Sequence, residues 1–176
     1  MNAVIVAVDQ LTKVVVRNNM SIGESIPIIN NFFHLTYITN DGMAFGLDFP
    51  GGSFLFNLVS ISLTVFLGWY YWQERNSNII LRISLLCILA GAIGNLIDRV
   101  LFGTVVDFFD FMIGGYHWYV FNIADSSVTV GMFLYIYFSI KQNCCLLFNA
   151  HKILGNSIWM FALHWITEEK IHRAIP

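Results

Sequence analysis

Charge is what this sequence has least of. Its 176 residues hold 9 Lys and Arg and 11 Asp and Glu, 11% in all, against about 25% in an ordinary soluble domain. That is too little to coat a water-facing surface, so the chain is expected to live in a membrane. Basic clusters are missing as well: the net charge is −2, and gripping a phosphate backbone takes clustered Lys and Arg, which excludes nucleic acid as a partner. Cysteine is scarce. Cys87, Cys144 and Cys145 have no CxxC spacing and are too few for a zinc site or a disulfide framework, so they read as apolar or incidental. The signatures of other enzyme classes are absent too. His34, His117, His151, His164 and His172 show no HExxH or other metal-ligand spacing, G-x-S-x-G and GxxxxGK do not occur, and neither Ser126 nor Ser127 has a His or Lys beside it. No internal repeat is present, which weighs against an inverted-repeat transporter.

What the chain has instead is apolar surface. Hydrophobic residues make up 57% of it, with 16 Phe and a mean hydropathy of +0.66, which rules out disorder. A spanning helix takes roughly 20 mostly apolar residues. Runs of that kind are expected at about 51–73, 79–100 and 124–140. The run at 51–73 ends in Trp69, Tyr70, Tyr71 and Trp72, an aromatic belt of the interfacial type. Residues 1–17 form a fourth, shorter segment of about 24 Å. Its basic residues, Lys13 and Arg17, come at the wrong end for a cleaved signal peptide, so it reads as a membrane helix that lacks its first turns.

Basic residues set the orientation. Arg75 and Arg82 flank one connection, and Lys141, Lys152, Lys170 and Arg173 follow the last span, whereas 18–74 and 100–124 contain no Lys or Arg. The positive-inside rule therefore makes both termini cytoplasmic and sends the other two connections outward. In the first of these, within about 24–47, Phe33, Leu35, Tyr37 and Thr39 alternate with His34, Thr36 and Ile38, and Asn40-Asp41-Gly42 supplies a turn. The expected architecture is a mostly α bundle of four transmembrane helices with a small outward β-sheet between helices 1 and 2. Residues 1–142 form one integral membrane domain, and 143–176 a cytoplasmic tail in which 153–167 has the composition of an interfacial helix.

A charge at membrane depth is expensive and is normally paired or functional. Asp107 is expected just beyond the outer end of the third span and Asp125 at the outer start of the fourth, so two carboxylates converge on one side. Such a pair cannot easily ionise twice, and a dyad with one proton can activate water and polarise an amide carbonyl. The plainer alternatives are a helix N-cap for Asp125 and a solvated loop acid for Asp107, and Asp110 competes for the place of second acid. Asn95, Asp98 and Arg99 share a helix face, where Asp98 and Arg99 can neutralise each other or reach neighbouring helices, and structural glue is the favoured reading for Asp98. Ala90, Gly91, Ala92 and Gly94 offer close approach to another helix, and Asp9 and Lys13 form an i, i+4 pair. A small ion or proton translocator would use the same acids, but it would spread them through the membrane depth.

Five motifs occur in order: Asp9-Gln10-Leu11-Thr12-Lys13, Thr39-Asn40-Asp41-Gly42-Met43-Ala44-Phe45, Gly91-Ala92-Ile93-Gly94-Asn95-Leu96-Ile97-Asp98-Arg99, Val105-Val106-Asp107-Phe108 and Phe121-Asn122-Ile123-Ala124-Asp125-Ser126. Over about residues 3–140 the chain resembles the lipoprotein signal peptidases, the type II signal peptidases of bacteria, which are intramembrane aspartyl proteases. The resemblance implies Asp107 and Asp125 as the catalytic dyad, with Asn95, Arg99, Asn122 and Ala124 around it. It implies Asn40 and Gly42 near the substrate, and Asp9, Lys13 and Asp98 as support. The implied substrate is a diacylglyceryl-modified prolipoprotein, cut just before its lipidated cysteine at the outer face of the bacterial inner membrane. Membrane lipids are the other expected partner, and no metal or organic cofactor is implied.

Overall fold

A computed structural model describes residues 2–41 and 52–142. Gly42 and the tail 143–176 lie outside the described residues. The described chain forms α1 (Asn2–Asn19), β1 (Ser25–Ile29), β2 (Phe33–Asn40), α2 (Gly52–Gln73), α3 (Ile79–Phe102), β3 (Val105–Ile113), β4 (Tyr116–His117) and α4 (Ile123–Gln142). Helix bounds thus fall within two residues of the four expected segments. Two helices, α3 and α4, are long and apolar enough to cross a membrane by length and composition. At 1.5 Å per residue, α1 and α2, of 18 and 22 residues, reach about 27 and 33 Å.

The helices are built inside out. In α1 the buried residues are Asp9, Lys13 and Val16, while Val4, Leu11, Val14 and Val15 are exposed. Apolar side chains facing outward and charged ones facing inward are the arrangement that a hydrocarbon solvent requires. The ends of α3 are fixed locally: Asn78 accepts from the Ile80 N–H at 2.8 Å, and Gly103 closes the helix at φ 78° with its N–H on Arg99 O, the left-handed cap that glycine adopts without strain.

Small residues bring the helices together. A Cβ on Gly91 would come within 2.2 Å of Ala124 O, one on Gly94 within 2.6 Å of Asp9 Oδ2, and one on Gly131 within 2.7 Å of Ser84 O. The Ser127 hydroxyl donates to Cys87 O at 2.8 Å across the same contact. The small-residue stretch of α3 therefore does what its composition predicts, holding α4 and α1 at backbone distance.

The sheet is antiparallel in the order β1-β2-β3-β4. It corrects the expectation of a sheet confined to the connection between α1 and α2, since half of it comes from the connection between α3 and α4. Segment 105–113 is a nearly continuous apolar run and lacks the alternation that marks a half-exposed strand. Its strand character emerges only when β2 offers it an edge. The β2–β3 register shifts between Leu35 and Ile38, a bulge that breaks the expected alternation of β2. Val16 of α1 packs with Tyr37, Val106 and Phe108, flanked by Met20, Leu35, Phe109 and Ile123, so the end of α1 seats the sheet. Residues Met1–Tyr135 form one compact unit. A second unit, Ile136–Pro176, begins with the end of α4.

Gly91→Ala is expected to lower the thermal unfolding temperature in detergent by several degrees, the effect of an overpacking penalty of about 1–3 kcal/mol. Gly68→Ala, where a Cβ meets nothing within 4 Å, should leave the melting curve unchanged or raise it.

Candidate active site

Two carboxylates meet around one asparagine. Asp107 is on β3 and almost wholly buried, whereas Asp125 opens the first turn of α4 and is half-buried. Between them sits the buried Asn122. Its Nδ2 donates to Asp107 Oδ1 at 2.6 Å, and its backbone N–H donates to Asp125 Oδ2 at 3.1 Å. Asn122 Oδ1 in turn accepts from the Asp125 N–H at 2.9 Å. Asn122 and Asp125 thus form a reciprocal capping box, with Asn122 as the N-cap and Asp125 three residues on. The N-cap reading of Asp125 is corrected accordingly: it is the other half of the cap. The reading of Asp107 as a solvated loop acid also falls, because it lies in a paired strand away from water.

Each acid has a further donor. Asn95 Nδ2 donates to Asp125 Oδ1 at 2.8 Å, and Asn40 Nδ2 to Asp107 Oδ2 at 3.2 Å. Burial, and after it the negative charge of Asp125, pushes the Asp107 carboxyl up to about 7, against the pull of the Asn40 and Asn122 donors and of Lys13. Asp110, three residues along the same strand, is also buried but meets different groups. Burial pushes its carboxyl up, yet hydrogen bonds from the Thr36 hydroxyl (2.6 Å) and His117 Nδ1 (2.9 Å) outweigh that and hold it below the usual range. Asp110 therefore bonds to a different set of groups from those that join Asp107 to Asp125.

Behind the pair lies a buried ionic cluster. Lys13 Nζ is 2.9 Å from Asp9 Oδ2, 3.3 Å from Asp98 Oδ2 and 2.8 Å from Asn95 Oδ1. Arg17 reaches Asp98 Oδ1 at 3.1 Å and stacks on Phe102. The same two carboxylates hold backbone: Asp9 Oδ1 accepts from the Ala124 N–H at 2.9 Å, and Asp98 Oδ2 from the Val106 N–H at 3.2 Å. Ala124 immediately precedes Asp125, and Val106 immediately precedes Asp107. Asn95 Oδ1, which also accepts from Asn122 Nδ2 at 3.1 Å, joins this cluster to the pair.

Of the residues expected at the site, Asp107, Asp125, Asn40, Asn95, Asn122, Ala124, Asp9, Lys13 and Asp98 form one continuous network. Gly42 lies outside the described residues. Asp98 pairs with Lys13 and Arg17 of α1 rather than with Arg99, so of the two alternatives on α3 it takes the one that reaches a neighbouring helix. Asp98 and Arg99 are adjacent in sequence, so the helix turns them about 100° apart, and only Asp98 points toward α1. The Arg99 Nε is buried without a hydrogen-bond partner, and its charge acts on Tyr119. Sequence reasoning missed three participants. Gln10 donates to Gly94 O at 3.0 Å and to Asp98 Oδ1 at 3.3 Å. Arg17 continues the Asp9, Lys13 stripe by one more i, i+4 step, a signal that could have found it. Tyr119, whose hydroxyl accepts from Asn40 Nδ2 at 3.1 Å, left none. Among the described residues no group of three or more His, Cys, Asp or Glu could hold a metal ion.

An apolar groove of about 590 Å³ runs past Asp125, lined by Trp118, Tyr119, Phe121, Val128 and Val130 among others. A buried and a half-buried carboxylate, the first with its pKa near neutrality, beside an apolar groove can bind an extended apolar chain and move protons at one of its amides.

Comparison with known proteins gives the family. A family model described as signal peptidase (SPase) II matches residues 1–141. A lipoprotein signal peptidase of Desulforapulum autotrophicum is 46% identical over 141 residues, 77% of this chain and 86% of the relative. One from Clostridioides difficile is 50% identical over 135 residues, 76% of this chain and 88% of the relative. A solved bacterial membrane enzyme superposes with a TM-score of 0.72 at 37% identity, covering 81% of this chain and 86% of its own.

Lys13→Met leaves the buried Asp9 without a cation and Asp98 with Arg17 alone. It is expected to destabilise the protein by about 3–5 kcal/mol, read as a loss of folded material in detergent. Arg17→Met, at a side chain 17% exposed, should be milder in the same measurement.

Proposed function

The chain belongs to the signal peptidase II family, and from that premise we propose that it is an aspartic endopeptidase that removes signal peptides from diacylglyceryl-modified prolipoproteins, with Asp107 and Asp125 as its dyad. The observation that carries this reading is the pair itself: two carboxylates joined through Asn122, with Asp107 raised to about 7. The family makes the chain a bacterial membrane protease. The aspartic mechanism, the cut before the lipidated cysteine and the four-span arrangement with both termini cytoplasmic are our reading. So are the inner membrane as its location and a single membrane domain over 1–142.

In this mechanism Asp107 is the acid and Asp125 the base. Burial keeps a proton on Asp107, whereas Asp125 sits in the first turn of α4 with the N–H of Asn122 on one oxygen and the Asn95 amide on the other. Asp125 takes a proton from water as the oxygen attacks the scissile carbonyl, and Asp107 gives its proton to the carbonyl oxygen. The resulting diol collapses: the C–N bond breaks, the amine leaves with the proton held by Asp125, and Asp107 recovers one from the diol hydroxyl. Water is consumed and the dyad ends with one proton, as it began.

The groove suits the substrate. A signal helix and acyl chains are apolar, and a lipid-anchored substrate meets the dyad already confined to the membrane surface, which lowers the entropy cost of aligning it. Asn95 and Asn122 orient the acids, and Asp9, Lys13 and Asp98 hold the elements that carry them. Arg99 and Asn40 face the substrate side. Two acids gathered at one asparagine favour a peptidase over a translocator, which needs a relay through the membrane depth.

Asp107→Asn and Asp125→Asn, assayed separately in detergent on a diacylated prolipoprotein peptide, should each lose at least about a hundredfold in kcat. Full activity in either variant overturns the dyad. The wild-type rate should fall as pH rises through about 7, because the shared proton is then lost from the carboxyl that burial has raised. A rate that climbs steadily above pH 8 contradicts Asp107 as the acid.

A further inference from the structure

Tyr119 lies on the groove wall and reaches a side-chain hydrogen bond of Asp107. Asn40 Nδ2 lies 3.2 Å from Asp107 Oδ2 and 3.1 Å from Tyr119 Oη. A primary amide carries two N–H groups on that nitrogen, diverging in one plane. With one hydrogen on the phenol oxygen, the other is aimed at the carboxyl. Asp107 Oδ2 and Tyr119 Oη thus both lie on the nitrogen of the Asn40 amide, and the phenol oxygen helps to hold that nitrogen on Asp107.

Tyr119 is 63% exposed and lies on the wall of the groove that passes Asp125. An apolar chain in that groove covers the ring and restricts it, and the hydroxyl moves with the ring. We propose that Tyr119 is a positioning residue for the dyad, its hydroxyl holding the Asn40 amide on Asp107 and its ring linking that hold to occupancy of the groove. The inference rests on the peptidase reading for its role in turnover, but the link between Tyr119, Asn40 and Asp107 exists without substrate. The phenol acts as a neutral group, since burial, and after it the charge of Asp107, pushes it above its usual value.

Tyr119→Phe keeps the ring and removes only the oxygen. Asn40 then donates less steadily to Asp107, the neutral carboxyl is favoured, and the acid becomes weaker. On the diacylated peptide, kcat should fall about five- to tenfold, the worth of one lost hydrogen bond, with KM nearly unchanged. The alkaline limb of the pH profile should move to higher pH. In an Asn40→Ala background the same substitution should have no further effect. The carboxyl C=O stretch of Asp107, identified by its loss in Asp107→Asn, can be titrated by infrared spectroscopy without substrate, and its midpoint should rise in Tyr119→Phe. An unchanged midpoint and pH profile, or effects that simply multiply in the double variant, overturn the proposal. If the wild-type protein does not cleave the peptide, the peptidase reading fails, while the infrared comparison still decides whether Tyr119 acts on Asp107.

Discussion

The structure depends on one buried ammonium. Lys13 touches Asp9, Asp98 and Asn95 at 2.9, 3.3 and 2.8 Å, with no exposed surface on any of the three charged groups. Such a cluster survives only if its charges balance and its remaining lone pairs are used. Arg17 supplies the second cation on Asp98, so two acids face two bases. Lone pairs left on the acids take the N–H groups of Ala124 and Val106. Each of those residues is one peptide bond from a dyad acid. The ionic cluster thereby fixes two backbones that come from distant parts of the chain, and the positions of Asp107 and Asp125 follow from it.

Amides separate that cluster from the dyad, and the separation matters. A cation in direct contact with Asp107 would hold it ionised, and a dyad with both carboxylates charged has no proton to give. Asn95 and Asn122 carry the alignment across without carrying charge: Asn95 takes a hydrogen bond from Lys13 and gives one to Asp125, and Asn122 gives one to Asp107. Among the influences on Asp107, the Lys13 charge ranks last, behind burial, Asp125 and the two asparagines. Stability and chemistry are thus handled by adjacent layers with opposite electrostatic needs.

How far the sequence discloses this depends on the kind of signal. The four helices are legible because apolar runs of helical length are written locally. The residues of the network are legible because charge is rare here, so each acid in an apolar run stands out. Pairings across the chain are less visible. Asp98 has Arg99 beside it in sequence, yet it pairs with α1, because helix geometry separates neighbours that a linear reading joins. β3 reads as a mere flank of Asp107 because a strand buried on both faces does not alternate. Tyr119 is invisible, since a tyrosine in an aromatic stretch carries no mark of the amide it meets.

The contrast between Asp107 and Asp110 shows that the site is made by environment rather than by residue type. Both are buried on one strand, three residues apart, and therefore on opposite faces. Asp110 meets a hydroxyl and an imidazole and is held low, which favours the fold wherever it is ionised. Asp107 is raised from 3.8 to about 7 by burial and, after it, by the charge of Asp125. A raised acid binds its proton more tightly folded than unfolded, so stability falls as pH rises from about 4 and levels off above 7. A rise of that size costs the folded state about 4 kcal/mol at alkaline pH. A buried acid in that state disfavours the folded chain at the pH where it would act, and it persists because its flanking backbone is held from outside, by the Asp98 carboxylate on the Val106 N–H. The ionic cluster around Lys13 is what allows the strand to keep Asp107 where burial makes it an acid.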